Sequence, residues 1–193
     1  MIGFLNRAVA SLALCSVCFA HEWQIDRAHS AAQFSVRHLV VSTVRGHFGK
    51  LTGTLQYDPA NPAAASIQAE VDVSTIETRE AKRDAHLKSP DFFDVAKYPT
   101  MTFQSTKVEP GGQGKLRMAG NLTIRGTTKP VVFEVEGPSA PIQYQNVERM
   151  GATATAKISR KEFGMTWNRV MEAGGVMVGD EVTITIDVEL TRR

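Results

Sequence analysis

The residues that could do chemistry in this 193-residue chain are few, and their spacing argues against a catalytic or metal centre. His29, His38 and His47 lie nine positions apart, so along a continuous strand neighbouring imidazoles would face opposite sides. No two of the five histidines stand at the i, i+4 spacing of a helical metal site, and no cysteine or carboxylate is expected to complete one. His21 would bring amine and imidazole together, an arrangement that chelates copper, if the chain were cut after Ala20. Its plainer role is to follow that cut. His29-Ser30 follows Asp26, but there is no Gly-x-Ser-x-Gly elbow to expose a nucleophile, and turn hydrogen bonding accounts for the three residues. Asp91 and Asp94 read as a solvated, capping face rather than an acid–base pair. Gly174-Gly175 lacks the Lys-Ser and helix of a phosphate loop. Asn121-Leu-Thr is a glycosylation sequon placed in the middle of a strand. No catalytic residue, no metal ligand and no cofactor is expected, and the chain is not expected to be an enzyme.

Residues 1–20 set the context. Arg7 precedes an apolar run from Ala8 to Ala20 that ends on compact residues, and His21-Glu22 then opens a polar sequence. This pattern predicts a secretory signal peptide cleaved after Ala20, with a periplasmic destination. The run is shorter than the ~18–20 residues of a membrane span. Cys15 and Cys18 would leave with it, so a mature chain of residues 21–193 would have no cysteine despite an oxidising compartment. Its formal charge would fall from +2 to +1, because Arg7 is the one charged residue removed. A near-neutral chain without a basic cluster argues against nucleic acid as a partner.

The mature sequence reads as β structure that must position whatever the chain binds. Alternation is clear in Ala32–Leu39, Ser66–Ser74, Leu116–Ile124, Val131–Glu136, Met150–Ser159 and Val182–Leu190. A short strand is expected at Glu22–Asp26, whose edge could pair with another copy in a homodimer. Gly46, Gly49 and Gly53 punctuate Arg45–Tyr57 and mark bends or bulges. Pro110–Gly114 is expected to be a loop, and Gly126–Pro130 a turn. Eight or nine such strands joined by turn chemistry predict an all-β, antiparallel barrel or sandwich in one domain.

The β pattern breaks once. Arg79–Lys88 is rich in helix formers, Ser89-Pro90 stops the helix, and Phe92-Phe93 follow as an adjacent aromatic pair. One ring would plug the core, and the other would either cover an edge or close the mouth of a greasy cavity. Arg83 and Asp84 are expected to tie the helix down. Ala152, Ala154 and Ala156 share one face of their strand and leave room that larger side chains would fill.

Taken together, Trp23-Gln-Ile-Asp26-x-x-His29-Ser30, Phe34-x-Val36-x-His38-Leu and Gly46-His-Phe48 resemble the opening of the YceI-like family. Arg83-Asp84-x-His86-Leu87, Ser89-x-Asp91-Phe92-Phe93-Asp94-Val95 and Tyr98-Pro99-x-Met-x-Phe103-x-Ser105 continue the resemblance. Leu122-Thr-Ile-Arg125-Gly126-Thr-Thr-Lys-Pro130, Arg160-Lys-Glu-Phe163-Gly164-Met165 and Val178-Gly179-Asp180-Glu181-Val182 close it. The resemblance implies an eight-stranded, antiparallel, lipocalin-like β-barrel with a short helical insertion. It also implies a secreted or periplasmic binding protein for a long isoprenoid, quinone-like or similar amphiphilic lipid. The candidate tunnel lining is Phe34, Val36, Phe48, Val71, Phe92, Phe93, Phe103, Met118, Ile124, Phe133, Phe163, Met165 and Trp167. Two other functions remain open at this point: an enzyme acting on a small amphiphile inside the barrel, and an interaction or stress-response module filled by its own side chains.

Overall fold

A computed structural model describes residues 21–170 and 175–193. The strands are β1 His21–Ile25, β2 Ala31–His38, β3 Ser42–Phe48, β4 Leu51–Tyr57, β5 Ser66–Asp72 and β6 Ile76–Glu77. After the helix α1 Ala81–Lys88 come β7 Thr100–Gly112, β8 Lys115–Ile124, β9 Thr127–Glu136, β10 Ile142–Tyr144, β11 Val147–Ser159 and β12 Val178–Arg192. Hydrogen bonding runs β11-β9-β8-β7-β5-β4-β1-β12, and β12 pairs back onto β11, so eight antiparallel strands close into a barrel.

Two ribs of that barrel are broken. β1 pairs with Leu190 and Thr191 of β12, while β2 takes the same strand between Val178 and Asp187. Likewise β4 pairs with β1, and β3 pairs with β2. The first rib breaks at the Asp26–Ser30 turn and the second at Gly49-Lys50. A strand that bends in this way lets a sheet of few residues curl far enough to close. Glycine is required where an aromatic ring crosses a strand. A Cβ on Gly46 would meet the Phe34 ring at 2.5 Å, and one on Gly120 would meet the Phe103 ring at 2.3 Å.

Several sequence expectations shift. β1 lies between β4 and β12, so Glu22–Asp26 is not a free edge for a second copy. Pro110, Gly111 and Gly112 belong to β7, and the turn is confined to Gln113 and Gly114, both at positive φ. Pro130 lies inside β9 opposite Asn121, at a level where β11 does not yet pair with β9, so its missing N–H costs no ladder bond. The helix starts at Ala81, because Arg79 takes a left-handed φ of 66° and Glu80 caps the first turn. A register shift between Ser105 and Lys107 reverses the parity of β7, so Val108 joins the interior out of step with Met101 and Phe103.

The core is not uniform. At one end Trp23, Met150 and Leu190 are fully packed with Ile25 and Tyr57. Phe163 and Met165 pack against Ile124, Val131 and Ile158 in a second cluster. Between them the inward side chains of β12, Val182, Ile184, Ile186 and Val188, are only half-buried although they lie inside a closed ring. Apolar side chains inside a barrel stay accessible only where the barrel is hollow.

Candidate functional site: an apolar lumen under a helical lid

Each rib contributes inward side chains to one continuous cavity of about 230 Å³. Its wall is built from Phe34 and Val36 of β2, Phe48 of β3, Leu51, Leu55 and Tyr57 of β4, and Val71 of β5. Met101 and Phe103 of β7, Met118, Leu122 and Ile124 of β8, and Phe133 of β9 continue it, and β11 and β12 complete it. The volume arises where β11 offers Ala152 and Ala154, whose cross-strand partners on β12 are Val188 and Ile186. A methyl beside an isopropyl or sec-butyl side chain leaves a gap that the rigid barrel cannot collapse to fill. A cavity with such a lining stays dry and takes apolar guests; one of roughly 150 Å³ accommodates benzene.

The lid closes one end. Asp84 Oδ1 accepts from Thr78 N (2.9 Å) and Thr78 Oγ1 (2.5 Å), and Arg83 donates to Thr78 Oγ1 (2.7 Å) and Thr78 O (2.6 Å). Both residues therefore anchor α1 to the chain end that follows β6, as expected. Arg125, in the β8–β9 turn, donates to Pro90 O at 2.7 Å and to Gly164 O. Phe92 and Phe93 both face the lumen but touch different walls. Phe93 meets Phe48 edge-on at 5.8 Å, and Phe92 packs on Trp167 at 5.4 Å and His86 at 5.0 Å. His86 in turn pairs with Asp91 at 2.8 Å, which makes that carboxylate part of the lid.

Arg160 is the one charged side chain on the cavity wall among the described residues, and it is 3% exposed. Burial pulls its pKa down from the usual arginine value, against the opposing pull of Asp180. A guanidinium carries five N–H donors. Here they reach Gly179 O (2.9 Å), Met165 O (2.5 Å), Trp167 O (2.9 Å), Val178 O (3.3 Å) and Asp180 Oδ1 (3.3 Å). Every donor is committed to holding both arms of the 165–180 connection. Arg160 is a clamp, with nothing left to offer a substrate.

On the outside of the packed end, Asp26, His29 and Glu189 bring ligand atoms within 4.8 Å of one another. Carboxylates thus do gather at His29, contrary to expectation. Arg149 occupies the cluster, donating to Asp26 Oδ2 at 3.2 Å and to Glu189, and His29 pairs with Asp26 at 2.9 Å. The hydrogen bond from His29, then that from Ala28 N, then Arg149, hold the Asp26 carboxyl below its ordinary pKa, and the same contact raises His29. An arginine between the two carboxylates makes this an ion-pair network.

Of the predicted lining, Phe34, Val36, Phe48, Val71, Phe92, Phe93, Phe103, Met118, Ile124, Phe133 and Met165 lie on the cavity wall. Phe163 does not. It is 1% exposed and sits in solid core, because its short 3₁₀ turn, Arg160–Phe163, tucks it behind Ile158. Trp167 lies outside the wall as well, edge-on to His86 at 4.7 Å, where it braces the lid. The sequence reading missed, among others, Leu51, Tyr57, Leu87, Arg160, Ile184 and Ile186. The alternation of β12 carried the signal for its share of these. Gly174-Gly175 straddles the edge of the described residues.

The family model described as a YceI-like domain matches residues 23–190. A UPF0312 protein of Vibrio cholerae is 39% identical over 163 residues, which cover 82% of this chain and 86% of the relative. A UPF0312 protein of Shewanella baltica is 36% identical over 158 residues, 81% of this chain and 83% of the relative. Among solved structures, Burkholderia cenocepacia BcnA superposes with a TM-score of 0.72 at 25% identity, covering 86% of this chain and 98% of that one. A Campylobacter jejuni YCEI protein gives 0.68 at 29%, covering 81% and 90%. A polyisoprenoid-binding domain from Saccharophagus degradans shares the fold at 0.62 and 15% identity, covering 91% and 99%. The chain belongs to the YceI-like family.

Proposed function

We propose that the protein is exported and holds a long-chain isoprenoid, a quinone-like molecule or a similar amphiphile in its lumen, for transport, storage or stress protection. The observation that carries this reading is the unfilled apolar cavity itself, walled on every rib by hydrocarbon and covered by a separately anchored lid. Burying each CH₂ is worth roughly 0.8 kcal/mol, so about ten carbons supply ~8 kcal/mol before ordering costs are subtracted. That gross figure corresponds to the micromolar range. A chain ligand therefore binds without any polar partner. The signal-like residues 1–20 support export to the periplasm, and residues 21–193 are read as the functional unit. The polyisoprenoid-binding description of the Saccharophagus degradans domain fits the same ligand class.

An enzyme acting on a small amphiphile would need at least two reactive groups converging inside. Among the described residues the wall carries two titratable side chains that do not converge: Arg160, with its donors spent, and Tyr57, whose phenol is packed at the plugged end, where burial raises its pKa. A barrel filled by its own side chains would have no such cavity.

Native mass spectrometry of the protein recovered from cells, before and after incubation with prenols and quinones, tests the reading. A bound lipid released on activation, or stoichiometric uptake when offered, is expected. A protein that carries no lipid and takes up neither compound would overturn it.

A further inference from the structure

The hairpin of β2 and β3 turns through Leu39 and Val40, both at positive φ (52° and 63°), and Val41 N closes the turn on His38 O at 3.2 Å. Positive φ at both central residues is the geometry for which Asn-Gly is the ordinary choice, and a β-branched residue there is strained. Val40 gains no burial in exchange: it is 67% exposed and its neighbour Val41 79%, while Leu39 is half-buried. Across the gap, Leu39 N bonds to Met177 O at 2.8 Å, which places Val176 and the 84% exposed Val170 on the same rim. The turn is therefore costly twice over, in backbone conformation and in hydration, and it is held in place. Arg37 donates to Thr43 Oγ1 at 3.0 Å and to Val40 O.

Charge singles out the occupant. Between Ala31 and Phe48 the hairpin carries Arg37, His38, Arg45 and His47 and no carboxylate of its own; at the end away from the tip, Glu77 of β6 lies 3.7 Å from His47. The Arg45 side chain has no hydrogen-bond or ion-pair partner among the described residues. An apolar tip backed by two arginines, Arg45 without a partner among the described residues, is matched to an anionic bilayer, where valines enter the acyl boundary and arginines meet phosphates. The cavity wall reaches this end through Val36 and Val178, two residues from the hairpin's last rungs.

We infer that the Leu39–Val41 tip docks the barrel onto the surface of an anionic lipid membrane. Docking is a property of the outer rim and does not depend on what fills the lumen, so it can be measured with the cavity empty or loaded.

The test is flotation of the whole protein with phosphatidylglycerol/phosphatidylethanolamine vesicles, against phosphatidylcholine vesicles. The parent is compared with a Leu39→Asn/Val40→Gly variant and with Arg45→Glu. Residues 1–20 are common to all three chains, so the comparison reads the tip. The Asn-Gly variant should melt close to the parent, because relief of the turn offsets the partial burial lost at Leu39, while losing about tenfold in vesicle partition. Arg45→Glu should weaken partition into the anionic vesicles and leave the weak phosphatidylcholine binding unchanged. Partition of the Asn-Gly variant equal to the parent's would overturn the inference. So would a parent that ignores both vesicles. A self-association of the parent that the Asn-Gly variant abolishes, without any change in flotation, would assign the tip to a second copy instead and overturn it likewise.

Discussion

Leu190 and Ile186 lie on the same face of the same strand, four residues apart, and meet opposite fates. Leu190 is 1% exposed, while Ile186 is half-buried inside the ring. The difference lies in what stands beside them. Leu190 pairs across to Met150 on one side and Ile25 on the other. Ile186 pairs with Ala154 and Ala32. Two large neighbours close the barrel, and two methyl groups leave it hollow. A single strand of regular alternation thus builds a plug at one end and a binding chamber in the middle, by changes on its neighbours alone.

The contrast predicts unequal costs for the same kind of truncation. Leu190 closes the chamber's packed end at 1% exposure, so Leu190→Ala removes tightly packed contacts there and should cost about 2–5 kcal/mol in denaturant unfolding. Ile186→Ala enlarges space that is already empty, removes fewer contacts and should fall at or below the lower end of that range. Equal losses at the two positions would mean that Ile186 is packed as tightly as Leu190, and the chamber would have no basis.

Filling the chamber should do the reverse. Ala154→Phe points a ring at Ile186 across space that the fold leaves open. Its stability should stay within about 1.5 kcal/mol of the parent, in the lower part of the ~1–3 kcal/mol that overpacking a dense core costs. Uptake of an offered prenol or quinone, followed by native mass spectrometry, should fall about tenfold. Unchanged uptake would place the ligand elsewhere; a loss of stability as large as that of Leu190→Ala would show that the wall has no spare room.

Much of this was legible in the residues. The alternation of Val182–Leu190 and the alanine face of Ala152–Ala156 announce both the ribs and the hollow, because side-chain parity in a strand is rigid. Arg83 and Asp84 were readable as anchors, since their neighbours lie close in sequence. What stayed hidden depends on chain reversals that parity cannot track. The bulge after Ser105 turns Val108 inward, and the 3₁₀ turn at Arg160 sends Phe163 into core and swings Trp167 onto His86. Arg160 was not readable as a clamp, because its five acceptors are backbone groups or lie up to twenty residues away, and backbone carbonyls leave no sequence signature. The gathering of Asp26, Arg149 and Glu189 was invisible for the same reason: 123 residues separate the first two.

That last cluster offers the smallest and most specific way to sharpen the comparison, because it covers the packed end from outside. Arg149 precedes Met150 and Glu189 precedes Leu190, so the ion pairs sit on the outer face of the strands whose inner faces form the plug. Asp26 has its pKa lowered, chiefly by the hydrogen bond with His29, so its contribution is present above the ordinary aspartate value and is lost as pH falls through the lower, folded one. His29 has its pKa raised by Asp26, so its contribution is full below the ordinary histidine value and is lost as pH rises through the higher, folded one. The pair therefore stabilises most between those limits. The parent should melt slightly higher at about pH 5 than at about pH 8, and Asp26→Asn should erase that difference while leaving prenol uptake untouched. The effect should be smaller than either core truncation, since both groups are near solvent and screened by it. A pH difference that survives in Asp26→Asn would assign the dependence to groups outside this cluster.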